Sequence, residues 1–178
     1  MDFFWKDFFT SQQEIYDPRV ELLKDCPLFS GLGEETYEDI TQLLHERNYE
    51  KGETIFSRGD PASAVFLIEE GSVRIYRDEP DSPKRELAEL EKDNFFGELA
   101  ISEEHRRNAS AEALEASKLH VLFRQEFMDF ARRELDCGFE IILNLAQITG
   151  ERLRKINDEY YKTKLKLEDM EAENESER

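Results

Sequence analysis

The stretch from Phe96 to Ser110, FGELAISEEHRRNAS, concentrates residue types that hold an anion beside a sugar. Gly97 has no Cβ, so the backbone there can approach a ligand closely. Glu98-Leu99-Ala100-Ile101 can open a short helix, whose first N–H groups have no partner inside the helix and favour negative charge. Arg107 then supplies the counter-charge. Glu98 repels a phosphate, so in the same pocket its carboxylate suits hydroxyl donors of the kind a ribose offers. Taken alone, Arg107 would better suit a surface ion pair with one of the many carboxylates, Glu98 included; the glycine, the spacing and the strand context favour the anion pocket. His105 and Arg106 read as solvent-facing loop neighbours. Asn108 brings an amide that can both donate and accept.

Such a constellation needs a rigid frame, and the flanking sequence supplies strand signals. Thr54–Phe56, Val65–Ile68, Ser72–Tyr76, Glu86–Leu90, Ala109–Leu114 and Leu119–Phe123 are short, alternating or β-branched, and separated by turn residues. Many short strands at such even spacing predict an antiparallel roll or barrel. The turn Glu91-Lys92-Asp93-Asn94 contains no glycine, but Asp and Asn tolerate left-handed geometry. Ahead of the strands, Tyr37, Ile40, Leu43 and Leu44 repeat at helical spacing and predict a helix over 34–46.

After Arg124 the period becomes helical. A short helix over about 125–134 precedes a long one beginning near Gly138. Leu135, Phe139, Ile142, Ala146, Thr149, Leu153, Ile156, Tyr160, Thr163, Leu167 and Met170 alternate in steps of four and three, a heptad seam. One small roll cannot cover its whole length. The seam therefore predicts either a homodimeric coiled coil or a helix folded back on its own domain. At the other end, Phe4 with Phe8 and Trp5 with Phe9 pair at i and i+4, but charges interrupt the run, so it is no signal peptide. An amphipathic helix docking on the domain or a dimer partner fits, as does a peptide for a separate protein.

Composition limits the functions available. In 178 residues the formal net charge is −18, which argues against nucleic acid and against an anionic membrane surface. No apolar run reaches the length of a membrane span. Cys26 and Cys137 lack metal-ligand spacing, which fits a reduced, cytoplasmic protein. His45, His105 and His120 are far apart, so the His-x-His pair of barrel-shaped metalloenzymes is missing. No nucleophile elbow and no phosphate-cradling lysine loop occurs. The expectation is a non-enzyme with no catalytic residues, no metal and no cofactor.

The motif resembles the phosphate-binding cassette of the cyclic nucleotide-binding domain family, which runs Phe-Gly-Glu-Leu/Met-Ala, a short spacer, then Arg-x-Ala-Ser/Thr. Phe96, Gly97, Glu98, Leu99 and Ala100 match its first half, and Arg107, Ala109 and Ser110 its second. Cys26-Pro27-Leu28-Phe29, Gly52, Gly59-Asp60 and Gly71 resemble the family's leading segment and early turns. The resemblance implies an α+β fold: an antiparallel β-roll, jelly-roll-like, with N-terminal helices and a long C-terminal helix. It divides the chain into an aromatic helical extension (1–24), the roll domain (25–136), a dimerisation helix (137–170) and an acidic disordered tail (171–178). By position it implies that Ile75 and Leu87 form an apolar wall against base or sugar. Asn108 stands where a hydroxyl residue often accompanies guanine preference, so cAMP and cGMP both stay open as ligand. Asn144, Gln147 and Arg152 of the long helix are candidates to cover the base. The implied function is a stand-alone sensor in which ligand phosphate draws in the 96–107 loop, re-seats the helices from Gln125 onward and signals to a partner protein. The alternative is a degenerate fold that acts as a dimeric interaction protein or takes a cyclic dinucleotide.

Overall fold

A computed structural model describes residues 17–78, 84–102 and 105–176. Its architecture is clearest at β3 (Ala64–Glu70), whose AVFLI run is buried on both faces. Val65 and Leu67 point to a core shared with the helices, whereas Ala64, Phe66 and Ile68 point into the roll. Burial on both sides explains why the strand reads as a continuous apolar run rather than as an alternation.

Two four-stranded antiparallel sheets form the roll. One orders β1 (Leu44–Tyr49), β8 (Ser117–Phe123), β3 and β6 (Phe95–Phe96). The other orders β2 (Thr54–Phe56), β7 (Ser110–Ala113), β4 (Ser72–Arg77) and β5 (Arg85–Glu91). Inside, Phe66 stacks on Phe96 with ring centroids 5.1 Å apart, and Phe56 tilts against both. Asp93 takes the left-handed conformation, φ 66°, in the turn that leads to β6.

The helices close one side of the roll. Asp17 caps α1 (Pro18–Asp25) by accepting from the Arg19 N–H at 2.9 Å, with Pro18 in the first turn. A 3-10 turn, Pro27–Phe29, leads to α2 (Glu34–Thr41). The helix expected over 34–46 thus ends early, and Leu44 belongs to β1. That strand lies at a sheet edge, its centre an unbroken exposed run over Glu46, Arg47 and Asn48, so it has little alternation to betray it. The two-residue β6 escaped notice through its shortness. The aromatic segment 1–16 lies outside the described residues.

α4 (Arg124–Arg133) and α5 (Leu135–Ser176) follow β8. They pack so closely that a Cβ on Gly138 would lie 2.7 Å from the Ala131 Cβ. The long helix begins earlier than position 137 and continues beyond 170, into the expected tail. Good helix formers sustain it there, after an i,i+4 pair, Lys164 to Glu168 at 3.9 Å, in the turns before position 170. Ile141, Leu145 and Ile148 face the core. The seam positions Leu135, Phe139, Leu153, Ile156 and Tyr160 are exposed, on a different face. No helix among the described residues is long and apolar enough to cross a membrane.

Candidate ligand pocket

Gly97 follows β6 with φ 76°, a backbone state that L side chains rarely adopt. The chain then turns into α3 (Leu99–Ser102), where Ala100 and Ile101 donate to the carbonyls of Gly97 and Glu98 at 3.1 and 3.0 Å. The N–H groups of Glu98 and Leu99 precede these bonds and lie outside the helix's own ladder.

The second half of the motif is pinned by its backbone. Arg107 donates to the Asp60 carbonyl and accepts from Gly59, both at 2.8 Å, and Ala62 donates to the His105 carbonyl at 2.8 Å. The Arg106 guanidinium reaches the Gly59 carbonyl at 2.6 Å. The segment 105–107 therefore runs beside the loop between β2 and β3, and this contact aims the Arg107 side chain inward.

Arg107 is only 8% exposed. Its Nη1 donates to the Gly97 carbonyl at 3.2 Å and its Nη2 to the Ala64 carbonyl at 2.7 Å, while its buried Nε has no partner. The guanidinium lies over Phe56, 4.2 Å from the ring centroid. It makes no ion pair with a described carboxylate. Burial pulls its pKa below the ordinary arginine value, and the charges of Glu98 and Asp60 oppose this from a distance. The site is thus a buried cation, held on carbonyls, with binding capacity left over.

Glu98 is 7% exposed and is bound by Nη1 of Arg152 from α5. That guanidinium lies 5.4 Å from the centroid of Phe95. Glu98, Arg107, Arg152 and Asn108 line one cavity of about 430 Å³, a size suited to a small ligand. Its apolar walls come from Phe56, Ile75, Ala88, Leu90 and Leu99. The arrangement offers a cation for a phosphate, a carboxylate for hydroxyls and an apolar slot for a flat ring.

Of the residues singled out from sequence, Gly97, Glu98, Leu99, Ala100, Arg107, Asn108, Ala109 and Ile75 line this cavity. Two do not. Ser110 is buried behind it, where its Oγ accepts from the Arg58 N–H at 2.9 Å and donates to Asp78 at 3.3 Å, bracing the loop. Leu87 is 53% exposed and sits on the outer face. Ile75 pairs with Ala88 and Tyr76 with Glu86, so a bulge passes Leu87 by, and Ala88 and Leu90 form the wall. The period-two pattern of β5 held that signal, because Ala88 and Leu90 share a face. His105 and Arg106, read as loop neighbours, are exposed and also line the cavity.

The long helix's candidates separate cleanly. Asn144 donates to the carbonyls of Leu28 and Ser30 at 3.2 and 2.8 Å. Gln147 lies with Asn144 in a different depression, beside Lys24 and Pro27. Only Arg152 of the three lines the cavity. Cys26 is buried, its thiol pushed up to about 12 by burial, which suits core packing.

Fold and site together define a small-ligand β-roll whose pocket joins a buried arginine to a glutamate. The family described as Cyclic nucleotide-binding domain matches residues 46–134, and the chain belongs to it. It is similar to the Cyclic AMP receptor protein of Thermus thermophilus, 34% identical over 134 residues that make up 75% of this chain and 60% of that protein. The cAMP-dependent protein kinase type II regulatory subunit of Drosophila melanogaster is 34% identical over 93 residues, 52% of this chain and 24% of that one. Among solved structures, the Thermus thermophilus Catabolite Activator Protein aligns with a TM-score of 0.67 at 34% identity, covering 75% of this chain and 61% of its own. The chain therefore spans less than two thirds of the length of these relatives.

Proposed function

We propose that the chain is a cytoplasmic, non-enzymatic sensor that binds one cyclic mononucleotide, cAMP or cGMP, in the cavity between Arg107 and Glu98. The carrying observation is Arg107, a buried cation with an unpartnered Nε and no carboxylate paired to it among the described residues. A buried charge is costly unless it is compensated, and an anionic ligand entering the cavity provides the compensation. The phosphate takes Arg107 and the N–H groups at the start of α3, and the ribose hydroxyl takes Glu98. The base lies against Ile75, Ala88 and Leu90, with Asn108 at its edge.

The output runs through the helices. Ligand drawing in the 96–107 loop re-seats α4 and α5, a shift between two states that a partner protein reads. The exposed seam of α5 supports association of two copies, because its apolar positions stand in solvent along a helix that outruns the roll. Two observations test the binding reading. A thermal-shift panel of cAMP, cGMP, the linear monophosphates, inorganic phosphate and a cyclic dinucleotide is expected to show its largest shifts with the cyclic mononucleotides. Mass spectrometry of small molecules released from the purified protein is expected to find one of the two. No shift with either would leave the fold as an interaction scaffold, and a shift with the dinucleotide alone would reassign the ligand.

A further inference from the structure

Beyond the pocket, α5 runs free of the roll. Ile141, Leu145 and Ile148 pack it on the core and Arg152 lines the cavity, but every residue from 153 to 168 is exposed. That free stretch is about 24 Å long at the usual rise of an α-helix. Its charge departs from that of the chain. From position 152 to 166 six cations, Arg152, Arg154, Lys155, Lys162, Lys164 and Lys166, stand against two carboxylates, Asp158 and Glu159, whereas the whole chain carries −18.

Most of these cations are not spent within the fold. Arg152 pairs with Glu98 and Lys164 with Glu168, but Arg154, Lys155, Lys162 and Lys166 form no ion pair among the described residues. Nor do they share the seam. Lys155 and Lys162 follow Leu153 and Tyr160 by two residues, which places them roughly 200° around the helix, and Arg154 and Tyr161 follow by one. Tyr161 and Leu165 are neighbours at i and i+4, as are Lys162 and Lys166, so two exposed apolar side chains stand among the cations. Asp158 interrupts the strip. An outer face left in solvent gains nothing from Tyr161 and Leu165, whereas tyrosine and arginine are residues on which interfaces concentrate their binding energy.

We propose that this outer face, away from the dimer seam, docks an acidic protein segment whose apolar side chain packs on Tyr161 and Leu165. Charge selects the occupant. At physiological salt a charge acts over about 8 Å, so most of the strip presents its own positive sign rather than the chain's negative one. The chain's own acidic run, Glu168 to Glu175, cannot fold back on it, because α5 continues unbroken to Ser176. The inference deepens the sensor reading, on which it rests for its output, by naming the chemistry of the partner. The strip begins just beyond Arg152, so a re-seated α5 carries it along.

The test selects a random peptide library, displayed on phage, on the immobilised full chain. Single synthetic peptides from that selection are then measured by fluorescence polarisation against wild type, Lys155→Glu/Lys162→Glu and Tyr161→Ala/Leu165→Ala, with helicity checked by circular dichroism. Selected peptides are expected to be rich in Asp and Glu around an apolar residue, to lose about tenfold or more in affinity for either variant, and to weaken with added salt. Nucleotide affinity is expected to be unchanged in both variants. Peptides without acidic bias, or equal affinity for wild type and the charge-reversed variant, overturn the inference. So does displacement of the peptides by an equal concentration of short single-stranded DNA, which would assign the face to nucleic acid. A shift of the charge-reversed variant from dimer to monomer in sedimentation would assign it to a second copy and overturn it too. Peptides that dock as expected on a chain that binds no nucleotide would remove the sensor reading and leave the docking face standing, and the converse result would leave the sensor without this partner.

Discussion

Gly97 and Arg107 compete for one volume: a Cβ at position 97 would lie 2.5 Å from Nη1 of Arg107. The glycine is required twice over, because its φ of 76° is also unfavourable for any L side chain. Gly97→Ala is therefore expected to cost about 1 kcal/mol or more of stability. It is also expected to push the guanidinium off the Gly97 carbonyl and weaken nucleotide binding by more than the lost stability explains. Thermal melts with and without cAMP separate the two effects. A variant that melts lower but binds normally would show that Arg107 does not need its present seat.

Lysine cannot replace the arginine. Arg107 uses two Nη atoms on two carbonyls and keeps Nε in reserve. A single ammonium cannot reproduce that fork. Arg107→Lys is expected to fold, since the charge and much of the stem remain, and to lose at least about tenfold in cyclic nucleotide affinity. Equal affinity would mean that a point charge suffices.

The cassette was legible because its chemistry is local. Gly97, Glu98 and Arg107 announce themselves by type and spacing, and the turn at Asp93 by its tolerance of left-handed geometry. The roll was legible wherever strands have one or two buried faces, as in β3. It was obscured at β1, an exposed edge, and at β6, which has two residues. The apolar wall was misplaced from Ala88 and Leu90 to Leu87 because a bulge beside Ile75 shifts the register, and no composition reports a bulge. Arg152 could be named but not ranked, since its role depends on where a helix residue 54 positions downstream of Glu98 lies against the pocket.

Acid should loosen the β2-β7-β4-β5 sheet in a defined direction. Glu112 on β7 bonds Lys84 and Arg74, each at 2.5 Å, and these cations hold its carboxyl below the usual glutamate value against the opposing effect of burial. A folded-state pKa below the unfolded one gives stability that is present above about pH 4.5 and is lost as pH falls through the folded value. Glu112→Gln is expected to be less stable at neutral pH and to show a shallower fall on acidification. Denaturant melts from pH 7 to pH 3 read this directly, and parallel curves for the two proteins would contradict it.

The seam of α5 predicts assembly. Ile156 and Tyr160 are exposed on a stretch of helix that no described part of the roll covers. Ile156→Glu is expected to shift sedimentation from dimer to monomer while leaving one nucleotide per chain, because the substitution lies beyond the pocket. A wild-type chain that sediments as a monomer at tens of micromolar would remove the coiled coil from the account.

The central claim is that Arg107 binds the phosphate of a cyclic mononucleotide. Calorimetric titration of cAMP and cGMP into the full chain and into Arg107→Ala tests it most directly. Wild type is expected to bind one nucleotide per chain. The variant, with its fold verified by circular dichroism, is expected to lose at least about thirtyfold in affinity, the usual consequence of removing one partner from a desolvated charge pair. Undiminished affinity in the variant would contradict the account.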